Sequence, residues 1–132
     1  EYVKTTGAQA EKINIFMADL EEREILRKEL MAMPELSISS SMYNNLEVNA
    51  KGADKGSALL WLADHLGISR EETMAFGDGE NDIPMIKAAG IGVAMENALD
   101  TVKEAADTIT LNNDEDGVAA AIRKFIFGSS EE

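Results

Sequence analysis

No cysteine occurs anywhere in the sequence. That absence excludes disulfides and thiolate metal sites, and it makes a reducing cytoplasm the expected setting. Positive charge is scarce as well: 12 Lys and Arg stand against 25 Asp and Glu, a net charge of −13. Nucleic acid and anionic membrane surfaces require basic patches, so neither is an expected partner. No apolar run approaches the ~20 residues that span a bilayer, and no basic-then-apolar leader opens the chain. The first residue is Glu1 rather than Met, as expected of a processed or trimmed chain. Small ligands and metal ions remain compatible with this composition. With 45% apolar residues among 132, the chain can bury a core as one domain or as parts of two.

The first dozen residues carry little pattern and are expected to be a loop or frayed end. Ile13–Ala18 alternates and is β-branched, which predicts a strand. Asp19 can cap a helix with Glu21 and Glu22 in its first turn, where the helix dipole favours negative charge. Leu26, Leu30 and Met33 give that helix an apolar stripe, and Pro34 ends it. Short strands are expected at Leu36–Ser41 and Leu46–Ala50, so residues 13–50 read as a small β-α-β-β unit. After Gly52 the texture changes. A helix is expected over Lys55–Leu66, stopped by Gly67. Strands at Thr73–Phe76, Ile91–Met95 and Thr108–Leu111 then alternate with helices near Ile83–Ala89, Ala98–Ala106 and Val118–Phe127. That alternation predicts an α/β fold with a parallel sheet covered on both faces, and ligands at the carboxyl ends of its strands. Trp61 and the methionines are expected in the core, His65 at the surface or a helix end, and Ser129–Glu132 in a disordered tail.

Two places stand out chemically. Gly77-Asp-Gly-Glu-Asn-Asp82 crowds three carboxylates, two glycines and an amide into a strand-to-helix turn. One reading is a turn: the glycines permit unusual backbone angles, Asn81 or Asp82 caps the next helix, and Pro84 sits in its first turn. That reading leaves Asp78 without a purpose. The other is a metal site, because Mg²⁺ takes one or two carboxylates together with waters and phosphate oxygens. A dinucleotide fingerprint would need a third glycine where Asp82 stands. An EF-hand from Asp78 would need Gly at Ile83 and Glu at Ala89. At Asp54-Lys-Gly56, Asp54 can cap the following helix. Lys55 then faces an unfavourable helix dipole, and Gly56 weakens the helix by about 1 kcal/mol relative to Ala. A solvated lysine is one explanation. A cation aimed at a phosphate near that helix N-terminus is the other.

Taken in order, these segments form a larger pattern. It runs through Lys55-Gly56, His65-Leu-Gly-Ile68, Ala75-Phe-Gly-Asp-Gly-Glu-Asn-Asp82, Gly92-Val-Ala-Met95, Glu96-Asn-Ala98, Ala105-Ala-Asp107 and Asn113-Asp-Glu-Asp-Gly-Val118. Over roughly residues 46–127 it resembles the C-terminal half of the haloacid dehalogenase superfamily, in its Cof-type branch of phosphatases. The resemblance implies a Rossmann-like core over 52–132 and the C-terminal remainder of a substrate-selecting α+β cap over 1–51. It implies a Mg²⁺-dependent phosphohydrolase acting on small phosphorylated metabolites such as sugar phosphates. By match of position, Lys55 would steady the phosphoryl group and the nucleophile, and Asp78 would help hold Mg²⁺. Asp82 would support the metal site and Asn81 would lie near the phosphoryl group, with Glu80 left to solvent.

The family's aspartate nucleophile belongs to a D-x-D-G-T/V motif on the first core strand, ahead of the cap. Glu1–Lys12 contains no aspartate, so the nucleophile half is expected to be missing and the chain inactive alone. Asp114-Glu-Asp-Gly-Val118 has the D-x-D-G-V form, and a circular permutation would make it the nucleophile loop. Asn112 and Asn113 separate it from the strand, and a turn and cap for the last helix is the plainer reading. A missing first strand would also leave Thr73–Phe76 with an unpaired edge, through which the chain could form a homo-oligomer or take up a separate N-terminal half.

Overall fold

The computed structural model describes residues 5–7 and 9–128. The expectation for the first dozen residues lies partly outside the described residues, and that for Ser129–Glu132 wholly so. Within that first dozen, Thr5 and Thr6 are helical rather than looped. The chain forms two compact units, Glu1–Ala53 and Asp54–Glu132.

In the first unit, β1 (Lys12–Phe16), α1 (Leu20–Met31), β2 (Leu36–Ser39) and β3 (Asn45–Ala50) follow one another. The strands form an antiparallel sheet of order β1-β3-β2. Asp19 caps α1 as its position implies: its Oδ1 accepts the backbone N–H groups of Glu21 and Glu22 at 2.8 and 3.1 Å. Leu46 and Val48 are buried on one side of the central strand β3. On the alternate positions the strand is polar, yet Asn45 and Glu47 are buried too.

Asn45 explains why β2 stops at Ser39 instead of reaching Ser41. Its fully buried side chain accepts through Oδ1 from the backbone N–H groups of Ser41 and Met42 and from Ser40 Oγ, at 2.9–3.1 Å. Its Nδ2 donates to Asn14 Oδ1 and Ser41 Oγ. Arg23 on α1 adds hydrogen bonds to the Asn45 carbonyl and to Ser40 Oγ. The Ser40–Asn44 segment is thereby folded into a turn and cannot continue the ladder. Glu47 accepts from Lys12 Nζ at 2.7 Å and from Ser41 Oγ at 2.6 Å. The Lys12 ammonium and the hydroxyls of Ser41 and Ser39 hold its carboxyl below the usual range.

In the second unit, α2 (Lys55–Leu66), β4 (Met74–Gly77), α3 (Ile83–Ala88), β5 (Ile91–Ala94), α4 (Asp100–Ala105), β6 (Thr108–Ile109) and α5 (Gly117–Ile126) alternate. Three short 3₁₀ turns, Arg70–Glu72, Glu80–Asp82 and Asn113–Glu115, stand between them. The sheet is parallel, in the order β4-β5-β6, so the expected α/β fold class holds. Ile86 of α3, Ala94 of β5, Ala98 in the turn that follows and Val102 of α4 form its buried core, with Ile83 and Ala106 packed against it. Among the described residues no helix is long and apolar enough to cross a membrane.

Several packing expectations need correction. Trp61 is 68% exposed and stacks on His65 with ring centroids 5.4 Å apart. Helix α2 buries the face of Gly56 and Ala63, and Trp61 lies about 140° round the helix from Gly56 at 3.6 residues per turn. Met95 is buried, but Met31, Met33 and Met42 are exposed. Met33 lies past the end of α1, so it does not extend the stripe of half-buried Leu26 and Leu30. Asp116 adopts a left-handed conformation with φ 56° and offers no side-chain cap to α5. Asn112 instead accepts the N–H of Asp114 and shapes the turn.

The Asn45 network makes a direct stability prediction. Asn45→Ala leaves the Ser41 and Met42 N–H groups without their acceptor and should cost about 2–3 kcal/mol in urea unfolding, at 1–3 kcal/mol for a buried group left unsatisfied. Asn49→Ala, four residues along the same strand at a half-buried position, should change stability by about 0.5 kcal/mol or less. Equal effects of the two substitutions would contradict the assignment.

Candidate functional site

Parallel strands place all their carboxyl ends on one edge, and the turn after β4 lies on that edge. It is organised by the Asp82 carboxylate. Asp82 Oδ2 accepts the backbone N–H groups of Asp78 and Gly79, each at 3.1 Å. The Asp82 N–H in turn donates to the Gly79 carbonyl at 3.0 Å. Asp82 therefore folds back over the turn that precedes it. The space it uses exists because position 77 has no side chain: a Cβ on Gly77 would lie 2.8 Å from Asp82 Cγ and 2.9 Å from its Oδ2. The turn reading expected the glycines to supply unusual backbone angles. Neither has a positive φ, and Gly77 is required for close approach instead.

The second oxygen of Asp82, Oδ1, pairs with Lys55 Nζ. Lys55 is the first residue of α2, just after the cap Asp54, whose Oδ1 accepts the Ser57 N–H at 2.9 Å. The next residue, Gly56, is buried, and a Cβ there would collide with the Pro84 carbonyl at the start of α3. The two helix-weakening features of Lys55-Gly56 thus have one structural cause. The missing side chain lets the start of α2 press against α3, which brings Lys55 within reach of Asp82. The Asp82 side chain is 9% exposed and that of Lys55 49%. Burial alone would push the Asp82 carboxyl up. The hydrogen bonds from Lys55, Gly79 and Asp78, with the charge of Lys55, outweigh it and hold Asp82 below its ordinary value.

Asp78 differs from Asp82 in every respect. It is exposed. Its Oδ2 accepts from Asn97 Nδ2 at 3.1 Å, and its Oδ1 has no hydrogen-bond partner among the described residues. Asn81 is half-buried beside Gly79, and its amide likewise makes no hydrogen bond among the described residues. Glu80 is half-buried, less open than expected. For a divalent cation the arrangement fits as one wall of a site. Asp78 presents a free carboxylate oxygen, while both oxygens of Asp82 are engaged. No group of three or more His, Asp or Glu side chains able to hold a metal occurs among the described residues.

Asn97 was not legible as a site residue. It lies three residues beyond β5, within the Glu96-Asn-Ala98 segment, and nothing in its local pattern announces a partner 19 positions back in the chain.

Comparison with known proteins places the chain in a family. A family model for haloacid dehalogenase-like hydrolases matches residues 3–122. The chain is 50% identical over 114 residues, 84% of its length, to 5-amino-6-(5-phospho-D-ribitylamino)uracil phosphatase YcsE of Bacillus subtilis. It is 46% identical over 103 residues, 78% of its length, to a putative phosphatase of Haemophilus influenzae. It spans 46% and 38% of these relatives' own lengths. Among solved structures, a haloacid dehalogenase-like hydrolase from B. subtilis aligns with a TM-score of 0.84 at 39% identity, over 95% of this chain and 45% of that one. The subclass IIB sugar phosphatase BT4131 aligns with a TM-score of 0.81 at 37% identity, over 94% of this chain and 46% of that one. The chain belongs to the haloacid dehalogenase-like hydrolases, in the Cof-type branch.

Proposed function

We propose that the protein containing this chain is a Mg²⁺-dependent phosphomonoesterase, and that residues 52–132 supply the Lys55–Asp82 wall of its active site. Residues 1–51 are then the closing part of a substrate-selecting cap. One observation carries the reading: a lysine at the start of α2 pairs with a buried aspartate, which shares the turn after β4, at the carboxyl edge of a parallel sheet, with an exposed aspartate that keeps a free oxygen. The named relatives support the reaction class, and they set the substrate range to examine. One acts on a phosphoribityl-aminouracil and another on sugar phosphates, so a small polyol or sugar phosphomonoester is the substrate class we favour. The absence of cysteine supports a cytoplasmic setting.

In this reading each side chain has a distinct task. Lys55 carries the positive charge that meets the phosphoryl oxygens, and Asp82 fixes where that charge stands. Asn81 has an uncommitted amide with which to orient the phosphoryl group. Asp78 is the residue that would hold Mg²⁺, with Asp82 supporting the site through the turn instead of ligating directly. The cation, when bound, neutralises charge on the transferring phosphoryl group. The nucleophile comes from a D-x-D segment outside these 132 residues. Asp114, in its 3₁₀ turn, does not act in its place.

A second reading has its own observation. Strand β4 lies at the edge of its sheet, with β5 as its neighbour, and an unpaired edge accepts a further strand. That strand could come from a second copy or from a separate nucleophile-bearing half.

Two outcomes are expected. The 132-residue chain alone should not hydrolyse p-nitrophenyl phosphate with Mg²⁺. The full protein should hydrolyse small phosphomonoesters, and Lys55→Ala should slow it roughly 100-fold or more, the scale of removing one charge-stabilising donor. Turnover by the chain alone that Asp114→Asn abolishes would overturn the proposal in favour of a permuted nucleophile. For the sheet edge, the isolated chain should self-associate as its concentration rises in light scattering. A monomer at every concentration would remove that second reading.

A further inference from the structure

We infer that Asn97 is a positioning residue for the metal wall, a clamp that holds the Asp78 carboxylate and ties it to the loop after β6. The inference rests on the reading of Asp78 as the Mg²⁺ residue, and it concerns a residue with no role in that reading. Three loops leave the carboxyl edge of the second unit's sheet: one after β4 with Asp78, one after β5 with Asn97, and one after β6 with Asn113. Asn97 bonds to both of the others. Its Nδ2 donates to Asp78 Oδ2 at 3.1 Å, and its Oδ1 accepts the Asn113 N–H at 3.0 Å.

The chemistry of the two partners fixes the amide's orientation. An ionised carboxylate only accepts, and a backbone N–H only donates. A side chain between them must therefore donate on one side and accept on the other. Asparagine does both at this length. Aspartate would lack the donor, and alanine would lack both groups.

The clamp matters because of what else holds Asp78. Its backbone carbonyl accepts the Leu99 N–H at 3.3 Å, and its N–H donates to Asp82. Its main chain is thus fixed. Its side chain is solvent-exposed, and Asn97 is the only residue among those described that restrains it by a hydrogen bond. With Oδ2 held, Oδ1 is the oxygen left for a cation. A carboxylate already held in place loses less side-chain freedom when it binds. Groups that orient a metal-bound carboxylate are typically worth 10–100-fold in metal affinity or activity.

The test uses the full protein, with any upstream sequence in place, and compares wild type, Asn97→Ala and Asn97→Gln. Mg²⁺ affinity is measured by calorimetry, and exchange of the Asn113 amide by NMR. Asn97→Ala should weaken Mg²⁺ binding roughly tenfold or more and speed Asn113 exchange, with the melting temperature little changed because Asn97 is exposed. Asn97→Gln keeps both functional groups and should recover part of each effect. Wild-type Mg²⁺ affinity in Asn97→Ala overturns the clamp, and so does a wild-type protein that binds no Mg²⁺. The phosphatase reading fails separately: Asn97-dependent Mg²⁺ binding without hydrolysis of any phosphomonoester would leave the clamp standing and remove the proposed reaction.

Discussion

The buried carboxylate of Asp82 is the point on which the second unit's functional edge depends. It gathers two backbone N–H groups from the turn after β4 and the ammonium at the start of α2. Each of those contacts needs a neighbour to be absent. Gly77 leaves room for the carboxylate itself, and Gly56 lets α2 approach the Pro84 carbonyl. An alanine at either position would leave the charged groups in the sequence and disturb their arrangement. The turn, the helix start and the ion pair therefore form one construction.

That construction puts a charged group where burial disfavours it. An aspartate taken out of water is costly unless its oxygens are satisfied and a cation stands beside it. Here both oxygens are satisfied by the protein. Lys55 is half in solvent, so the pair contributes less than a fully buried one would. Its significance lies in placement: Lys55 is anchored at the carboxyl edge of the sheet by Asp82, which lies in the same turn as the exposed Asp78. Two aspartates four residues apart thus divide the work. Asp82 is buried and spent on structure, while Asp78 is exposed and keeps an oxygen in reserve.

Much of the fold was legible because short-range signals decide it. Asp19 caps α1 through its own side chain, Gly67 stops α2, and apolar runs separated by helical periods become parallel strands. The candidate residues Lys55, Asp78, Asn81 and Asp82 stand out because each conflicts with a local preference or crowds charge into a turn. What stayed hidden depends on contacts between distant positions. Gly77 looks like a flexible turn residue until Asp82 is seen in the space of its missing Cβ. Trp61 reads as core by composition, but the face of α2 that packs is set by Gly56 and Ala63. Asn45 and Asn97 are unremarkable in a sequence, and their partners arrive from other strands and loops. Helical and strand periodicity carries no information about such polar cross-links.

The acid dependence of stability tests the role of Asp82 most directly. Its folded carboxyl lies below its ordinary value of 3.8, so in acid the unfolded chain binds this proton before the folded chain does. The stabilisation is full above the ordinary value and is lost as the pH falls through the lower folded value. Urea unfolding of wild type and Asp82→Asn between neutral pH and about pH 2.5, a span that brackets carboxyl titration, should show wild type the more stable at neutrality. The gap should close as the pH drops below 3.8. Two parallel curves, with a gap that acid leaves unchanged, would contradict an ionised Asp82 as the organiser of the site.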